Sequence, residues 1–366
     1  MTAAHEPRPI GLALQGGGSH GALAWGAIDR LLEEPRIRIV EISGTSAGAM
    51  NAIILADGLV QGGREGARTA LRRYWRAVSD AARFSPMQRS AYDRMFGNYS
   101  LDHSPGYVAM EGLTRIFSPY DLNPFGLNPL RDLVASHVDF DAVNASEAVR
   151  VHVTATNVRT GLARTFANGE LSADAVMASA CLPQMYQAVE IGGEFYWDGG
   201  FAANPALFPL AASGRLRDIL IVHLNPVRRH EVPRTARDIM NRVNEISFNT
   251  SLIKELRTIG IVQRLSEMGQ ISLDRRYEIF VHMIHGEEDV QDLSASSKLN
   301  AEWGYLEMLF ARGRIWAEQW LAEHFDDLGR RSSFQMEHMF ADGELPPAIT
   351  PIDPPARRRR RTLPRR

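Results

Sequence analysis

The chain has 366 residues, 45% of them apolar and 23% charged. That balance excludes collagen-like, coiled-coil and wholly disordered chains and suits one large globular domain or two ordinary ones. The formal net charge of −2 at pH 7 leaves no bulk basic footprint for nucleic acid, yet seven of the last ten residues are arginine, and without those seven charges −2 becomes −9.

The single cysteine, Cys181, excludes an intramolecular disulfide and a cysteine-based zinc cluster and fits a reducing compartment. No run reaches the ~18 consecutive apolar residues of a membrane-spanning helix. The N-terminus has no charged start followed by a long apolar stretch, so no secretory signal is expected and the expected location is cytoplasmic.

Pro9 to Leu14 reads as a short buried strand, followed by the glycine-rich turn Gly16-Gly17-Gly18-Ser19-His20-Gly21. A helix follows, with Leu23, Ala27 and Leu31 at four-residue steps. Ile37 to Ile42 reads as a second strand, then Ser43-Gly44-Thr45-Ser46-Ala47-Gly48, then a second helix. Repeated strand–turn–helix units imply right-handed crossovers and a parallel sheet.

Gly66 to Val78 reads as helical. From about 80 to 127 the chain mixes Phe84, Met87, Tyr92, Met95 and Phe96 with prolines and glycines. A long apolar-studded stretch of this kind is either a lid or binding wall, or a surface insertion with its own small core. A helix is expected from Pro129, a strand over 149–158, a hairpin at Gly161, and a helix capped by Ser172. Two short strands are expected around Gly192-Gly193, and a strand over 218–225. Beyond it, residues 234–270 read as helical, YEIFVHMI as a strand, and the stretch from Ala301 as a helix with Leu306, Phe310, Trp316 and Trp320 near one face. Past Gly329 the polar, proline- and arginine-rich composition predicts disorder.

Three segments carry chemistry. Gly44-Thr45-Ser46-Ala47-Gly48 is a G-x-S-x-G between a strand and a helix. Such a turn projects a serine Oγ beside backbone N–H groups, and its crowding favours flanking glycines. Its bland alternative is a strand-to-helix turn with a serine cap. The loop Gln15 to Gly21 presents bare amides at a helix N-terminus, which suits an anion: either a nucleotide phosphate, since Gly16, Gly18 and Gly21 satisfy G-x-G-x-x-G, or the oxyanion of an acyl-transfer intermediate. A nucleotide fold wants an acidic residue ~20 positions on. Glu41 stands near there, but the chain then enters the serine turn, and no G-K-[ST] lysine is present. Trp197-Asp198-Gly199-Gly200 ends a strand; its Asp could accept a serine proton, or it could be a plain Asp-Gly turn.

Taken together, GGGSHG, GTSAG and DGG, in that order and over roughly residues 8 to 212, resemble the patatin-like phospholipase family. The stretch VMASACLP and the pair Asn204-Pro205 add to the likeness. The resemblance implies an α/β fold, a three-layer α/β/α sandwich with a mostly parallel central sheet and a C-terminal helical extension. It divides the chain into a catalytic part at 8–215 with a lid-like insertion near 80–127, a mainly helical part at 216–330, and a disordered arginine-rich tail at 331–366.

The resemblance further implies hydrolysis of lipid acyl esters by a Ser–Asp dyad. Ser46 is then the nucleophile and Asp198 the general base. Amides of Gly16, Gly17, Gly18 and Ser19 form the oxyanion hole, and Gly21, Gly44, Gly48, Gly199 and Gly200 are the motif glycines. No metal or cofactor is called for, and no D-x-D-x-D-G calcium loop is present. Many relatives carry Arg or Lys in the glycine loop where this chain has His20.

Rival readings remain. A Ser-His-Asp triad could use His223 or His285, with His282 on a nearby strand; His152 and His223 also read as structural. The glycine loop could serve a nucleotide-binding protein, and the same serine could serve an acyltransferase. The partners expected are a lipid or acyl-ester substrate and peripheral membrane contact through the arginine-rich tail; no nucleic acid is expected, and oligomeric state is open.

Overall fold

The first expected strand forms as β1 (Arg8–Leu14) in the computed structural model, which describes residues 6–334 except 230, 273, 275–277, 287, 288, 291 and 292. Ile10 to Leu14 are buried because β1 lies between two parallel neighbours, β2 (Ile37–Gly44) and β7 (Asp218–Val222). A strand covered by helices on both faces is apolar throughout rather than alternating, and β7, all buried, obeys the same rule.

The remaining strands are β3 (Arg150–Asn157), β4 (Ala163–Ala167), β5 (Val189–Ile191), β6 (Glu194–Asp198) and β8 (Phe280–Ile284). They complete an eight-stranded sheet of order β5-β6-β3-β2-β1-β7-β8, with β4 paired to β3. Strands β3, β2, β1, β7 and β8 run parallel; β4, β6 and β5 add antiparallel pairs at one side. The turns between these antiparallel strands fall at Gly161 and at Gly192-Gly193, as the sequence predicts, and all three glycines have positive φ.

Helix α1 (Gly21–Glu33) follows the glycine loop, and α2 (Ala47–Ala82) follows the serine turn. The two helices expected over 49–78 join as α2, with non-helical backbone only at Gly62 and Gly63. The insertion forms α3 (Ala91–Met95), α4 (Pro105–Leu113) and α5 (Pro119–Leu122), each N-capped by a serine side chain: Ser90, Ser104 and Ser118. It has little core of its own: α4 buries no residue, while Phe84 and Phe125 are 94% and 87% exposed. It is a wall held at its ends. Arg89 pairs with Glu302, the Leu101 amide with Ser296, and Gln187 with the Asn123 carbonyl.

Helices α6 (Pro129–His137) and α7 (Phe140–Ala145) lead into β3. Helix α8 (Ala173–Ser179) is capped by Ser172 as expected, and α9 (Phe208–Ala212) precedes β7. The part from 216, expected as a mainly helical extension, supplies β7 and β8 to the same sheet, so a division at 215 falls inside one hydrogen-bonded layer. Its helices are α10 (Ala236–Glu267) and α11 (Trp303–His324), and in α11 Leu306, Trp316 and Trp320 are buried as predicted. Ser332 and Phe334, inside the stretch expected to be disordered, hydrogen-bond to Val281 of β8. The arginine-rich tail beyond 334 lies outside the described residues. Among the described residues no helix is long and apolar enough to cross a membrane.

Helix α11 lies against α1 through two glycines. A Cβ on Gly26 would stand 1.9 Å from the Phe310 carbonyl oxygen, and one on Gly313 would stand 1.9 Å from that of Leu23. No side chain fits there, so the axes can approach only because both positions are glycine. Since α1 begins at the glycine loop and α11 begins just after the turn Ser296–Leu299, this contact fixes those two loops relative to each other. Gly313→Ala is expected to lower the melting temperature, at a cost of roughly 3 kcal/mol from overpacking. Thermal denaturation measures it, and an unchanged melting temperature would contradict the close packing.

Candidate active site

Strands β1 and β2 end side by side, Leu14 opposite Gly44, so the glycine loop and the serine turn emerge together at the carboxyl end of the sheet. Ligands bind in this position in open α/β sheets. Ser46 has φ 56° and ψ −124°, and it is the only non-glycine residue with positive φ among the described residues. Such backbone persists only where its surroundings over-determine it. Here the neighbours do so. A Cβ on Gly44 would lie 2.4 Å from the Gly48 carbonyl oxygen, and one on Gly48 would lie 2.1 Å from that of Leu14. The Thr45 amide donates to Leu14, and the Thr45 hydroxyl donates to Ala203.

Ser179, the last residue of α8, adds a clamp that sequence reasoning did not assign. Its hydroxyl donates to the Thr154 carbonyl at 2.6 Å and accepts the Ser46 amide at 2.9 Å. Ala47, next to Ser46, opens α2 with an amide that has no acceptor among the described residues.

The glycine loop lies directly over the serine turn: a Cβ on Gly16 would stand 2.7 Å from the Ser46 Cβ, and one on Gly21 would stand 2.9 Å from that of Ala47. The Gly16 amide donates to Asn204 Oδ1 at 2.7 Å. It is therefore engaged rather than bare, contrary to its expected place among the oxyanion donors. The amides of Gly17, Gly18 and Ser19 have no acceptor among the described residues. Gly18 alone of the three is exposed, in the left-handed region at φ 59°.

Side-chain amides hold this loop from behind. Gln15 accepts the Leu224 and Asn225 amides and donates to Asn249. Asn225 donates to the Gly16 carbonyl and accepts from Lys298 Nζ at 2.7 Å. His20 is buried, hydrogen-bonded to Ser297, and held well below its usual pKa first by burial and then by Lys298 and Arg229. The cation beside the loop is thus Lys298, contributed from far along the chain.

Asp198 ends β6 on the other side of Ser46. Its amide donates to Cys181 and its carbonyl accepts from Thr156, which fixes the main chain. Its side chain is 1% exposed. Oδ1 accepts the Gly200 amide at 2.7 Å, while Oδ2 has no hydrogen-bond partner among the described residues. The Ser46 hydroxyl lies near enough to favour the ionised carboxylate but outside full hydrogen-bond geometry. Such contacts are commonly long in substrate-free sites. Burial dominates and pushes the pKa up to about 6; the Gly200 amide and Ser46 pull the other way. Gly199 is required by proximity as well: its Cβ would lie 2.0 Å from the Thr154 carbonyl oxygen. Cys181 beside it is buried, with its thiol pushed up to about 12, so it is an inert neighbour.

Of the rival residues, Glu41 and His282 are engaged elsewhere. Glu41 is fully buried and bonded to His152, leaving no exposed acid for a nucleotide ribose. His282 bonds Asp218 and Ser333. His223 is buried at the end of β7 with its pKa down to about 4, and among the described residues no histidine hydrogen-bonds to Ser46.

A family model described as patatin-like phospholipase matches residues 12–211. No curated protein matches the sequence. Among solved structures, VipD from Legionella pneumophila is similar over 87% of this chain and 67% of its own, at 15% identity and a TM-score of 0.39. ExoU from Pseudomonas aeruginosa, in its complex with SpcU from the type III secretion system, is similar over 86% of this chain and 53% of its own, at 16% identity and a TM-score of 0.30. A further structure of ExoU, described as a type III effector protein, gives 12% identity and a TM-score of 0.32. This chain spans about half the length of ExoU.

The raised pKa of Asp198 has a consequence for stability. The folded state binds this proton more tightly than the unfolded chain, whose carboxyl titrates near 3.8. Stability linked to the group is therefore full below that value and falls as pH rises through about 6. Asp198→Asn, neutral throughout, is expected to melt at a higher temperature than the native protein at pH 8, being more stable by on the order of 3 kcal/mol, with the difference closing near pH 4. Paired melting curves at the two pH values measure it, and an equal difference at both would refute the buried-charge account.

Proposed function

The chain belongs to the patatin-like phospholipase family, and on that premise we propose that it hydrolyses lipid acyl esters with Ser46 as nucleophile and Asp198 as general base. The observation that carries this reading is the buried carboxylate beside a serine on a strained strand-to-helix turn, with one carboxylate oxygen unsatisfied. A carboxylate is a weak base in water. Sealed from it, with a pKa near 6, Asp198 is far better matched to accept a hydroxyl proton near neutral pH.

In the proposed reaction Ser46 Oγ attacks the ester carbonyl carbon as its proton passes to Asp198. The carbonyl oxygen becomes an oxyanion, held by the amides of Gly17, Gly18 and Ser19 and by the positive end of α1. The ester C–O bond then breaks, and Asp198 returns the proton to the departing alcohol. Water attacks the acyl-serine next, giving its proton to Asp198, and the fatty acid leaves as Ser46 regains its hydrogen. The Gly16 amide takes no part as a donor to substrate; through Asn204 it fixes the height of the loop above Ser46. The apolar wall at 84–127 supplies surface for the acyl chain, and the cytoplasm or a membrane bordering it is the proposed place of action.

Two measurements test this. A fluorophosphonate, which reacts with activated serines, is expected to label the native protein and not Ser46→Ala; persistent labelling of that variant would remove Ser46 as nucleophile. On a short-chain ester, kcat/KM is expected to rise through an apparent pKa of about 6 and stay level above it. That is the direction required of a base that must be ionised, and a profile falling over that range would exclude Asp198 in this role.

A further inference from the structure

Helix α10 carries apolar side chains on both its inner and its outer face. Its inner face is fully committed. Glu245 accepts from Arg229 and Arg242, Asn249 accepts from Gln15, and Glu255 accepts the amides of Leu207 and Phe208. Leu252 and Leu256 on the same side are fully buried. This face also rests on the candidate site: the Phe248 ring meets Phe201 edge-on at 5.4 Å and lies against Gly200, two residues past Asp198.

The opposite face looks into solvent. Ile239, Val243 and Ile246, at steps of four and three residues, are 45%, 52% and 52% exposed. Lys254, Ile261, Arg264 and Met268 continue the same line at helical spacing, and all are exposed. The acidic side chains described on α10 are buried, as Glu245 and Glu255, or engaged at the N-terminus, where Asp238 bonds the capping Thr235. Neither Lys254 nor Arg264 makes an ion pair among the described residues. The outer stripe is therefore apolar and basic over about 45 Å, at 1.5 Å per residue.

An apolar row held in water by a helix already packed on its other side adds nothing to folding. Its chemistry matches one surface, an anionic bilayer: the apolar side chains enter the headgroup boundary, and the two cations reach lipid phosphates on their flexible stems. We infer that α10 docks the protein on an anionic lipid surface through this stripe, carrying the Asp198 turn on its inner face to the membrane. The inference gives the lipid-hydrolase reading its partner, but docking is measured without hydrolysis, so either can fail alone.

The test uses the full chain carrying Ser46→Ala, so that lipid is not consumed, and vesicles of phosphatidylglycerol and phosphatidylcholine. Adding Val243→Ser and Ile246→Ser is expected to reduce vesicle partitioning at least tenfold. Adding Lys254→Gln and Arg264→Gln instead should weaken binding and flatten its dependence on salt. The arginine-rich tail is present in every variant, so its contribution cancels. In a Val243→Trp variant the tryptophan emission should shift to shorter wavelength on anionic vesicles. Variants made on the active chain should still hydrolyse a water-soluble ester, the control that the site remains intact. Unchanged partitioning of the Val243→Ser, Ile246→Ser protein would overturn the proposal. So would sedimentation showing that these two changes convert a dimer to a monomer, since the stripe would then face a second copy of the chain.

Discussion

A carboxylate removed from water while one of its oxygens lacks a partner is among the least comfortable groups a fold can contain. Asp198 is such a group, and much of the architecture around it reads as the means of keeping it there. Its amide is tied to Cys181, its carbonyl to Thr156, and Oδ1 to Gly200, so the side chain cannot swing outward to be hydrated. Ser46 is pinned independently by Gly44, Gly48 and Ser179. Ser179 is the link between the two halves, because the carbonyl it bonds belongs to Thr154 and the next residue, Ala155, pairs with Asp198 across the sheet. The serine turn and the acid are thus referenced to one strand, which holds the two in register.

The glycine loop is supported in a different way. The amides of Gly17, Gly18 and Ser19 have no acceptor among the described residues, and the loop is held through its other atoms. Asn204 takes the Gly16 amide, Asn225 the Gly16 carbonyl, and Gln15 joins both the end of β7 and α10. A buried polar network of this sort rigidifies only when nearly complete. The parts that complete it come from beyond residue 211, where the family match ends. Asn225 follows β7, Asn249 lies in α10, and Lys298 lies in the turn Ser296–Leu299 that packs on the turn Gly18–His20.

How much of this could be read in advance depended on the range of the interaction. The serine turn was legible because its strain is local and leaves glycines at fixed offsets. The alternation of strands and helices was legible because two-sided burial writes itself as apolar runs. The hairpins at Gly161 and Gly192-Gly193 were legible because a reversal with positive φ selects glycine. Gly16 was misjudged as a bare donor because nothing near it in the chain reveals that Asn204 stands across from its amide. Ser179 sat inside a stretch already noticed, VMASACLP, but a small hydroxyl at a helix end looks the same whether it caps solvent or braces a neighbour. Lys298 carried no local signal at all, since it reaches the loop through tertiary packing, in which Gly26 lies against Phe310 and Gly313 against Leu23. The strands at 218 and 280 were recognised as strands, but their membership of the first sheet is a matter of topology, which periodicity does not encode.

The strand order has one last implication, for the life of the polypeptide before it is finished. β1 is translated well before its second neighbour, β7, since Ile10 lies opposite Asp218. Pairings so distant close slowly. During synthesis the serine turn can therefore exist before Asp198, Asn225 and Lys298 have been translated. A chain still being translated therefore holds Ser46 on its turn before Lys298 and the neighbouring segments exist to complete the loop beside it.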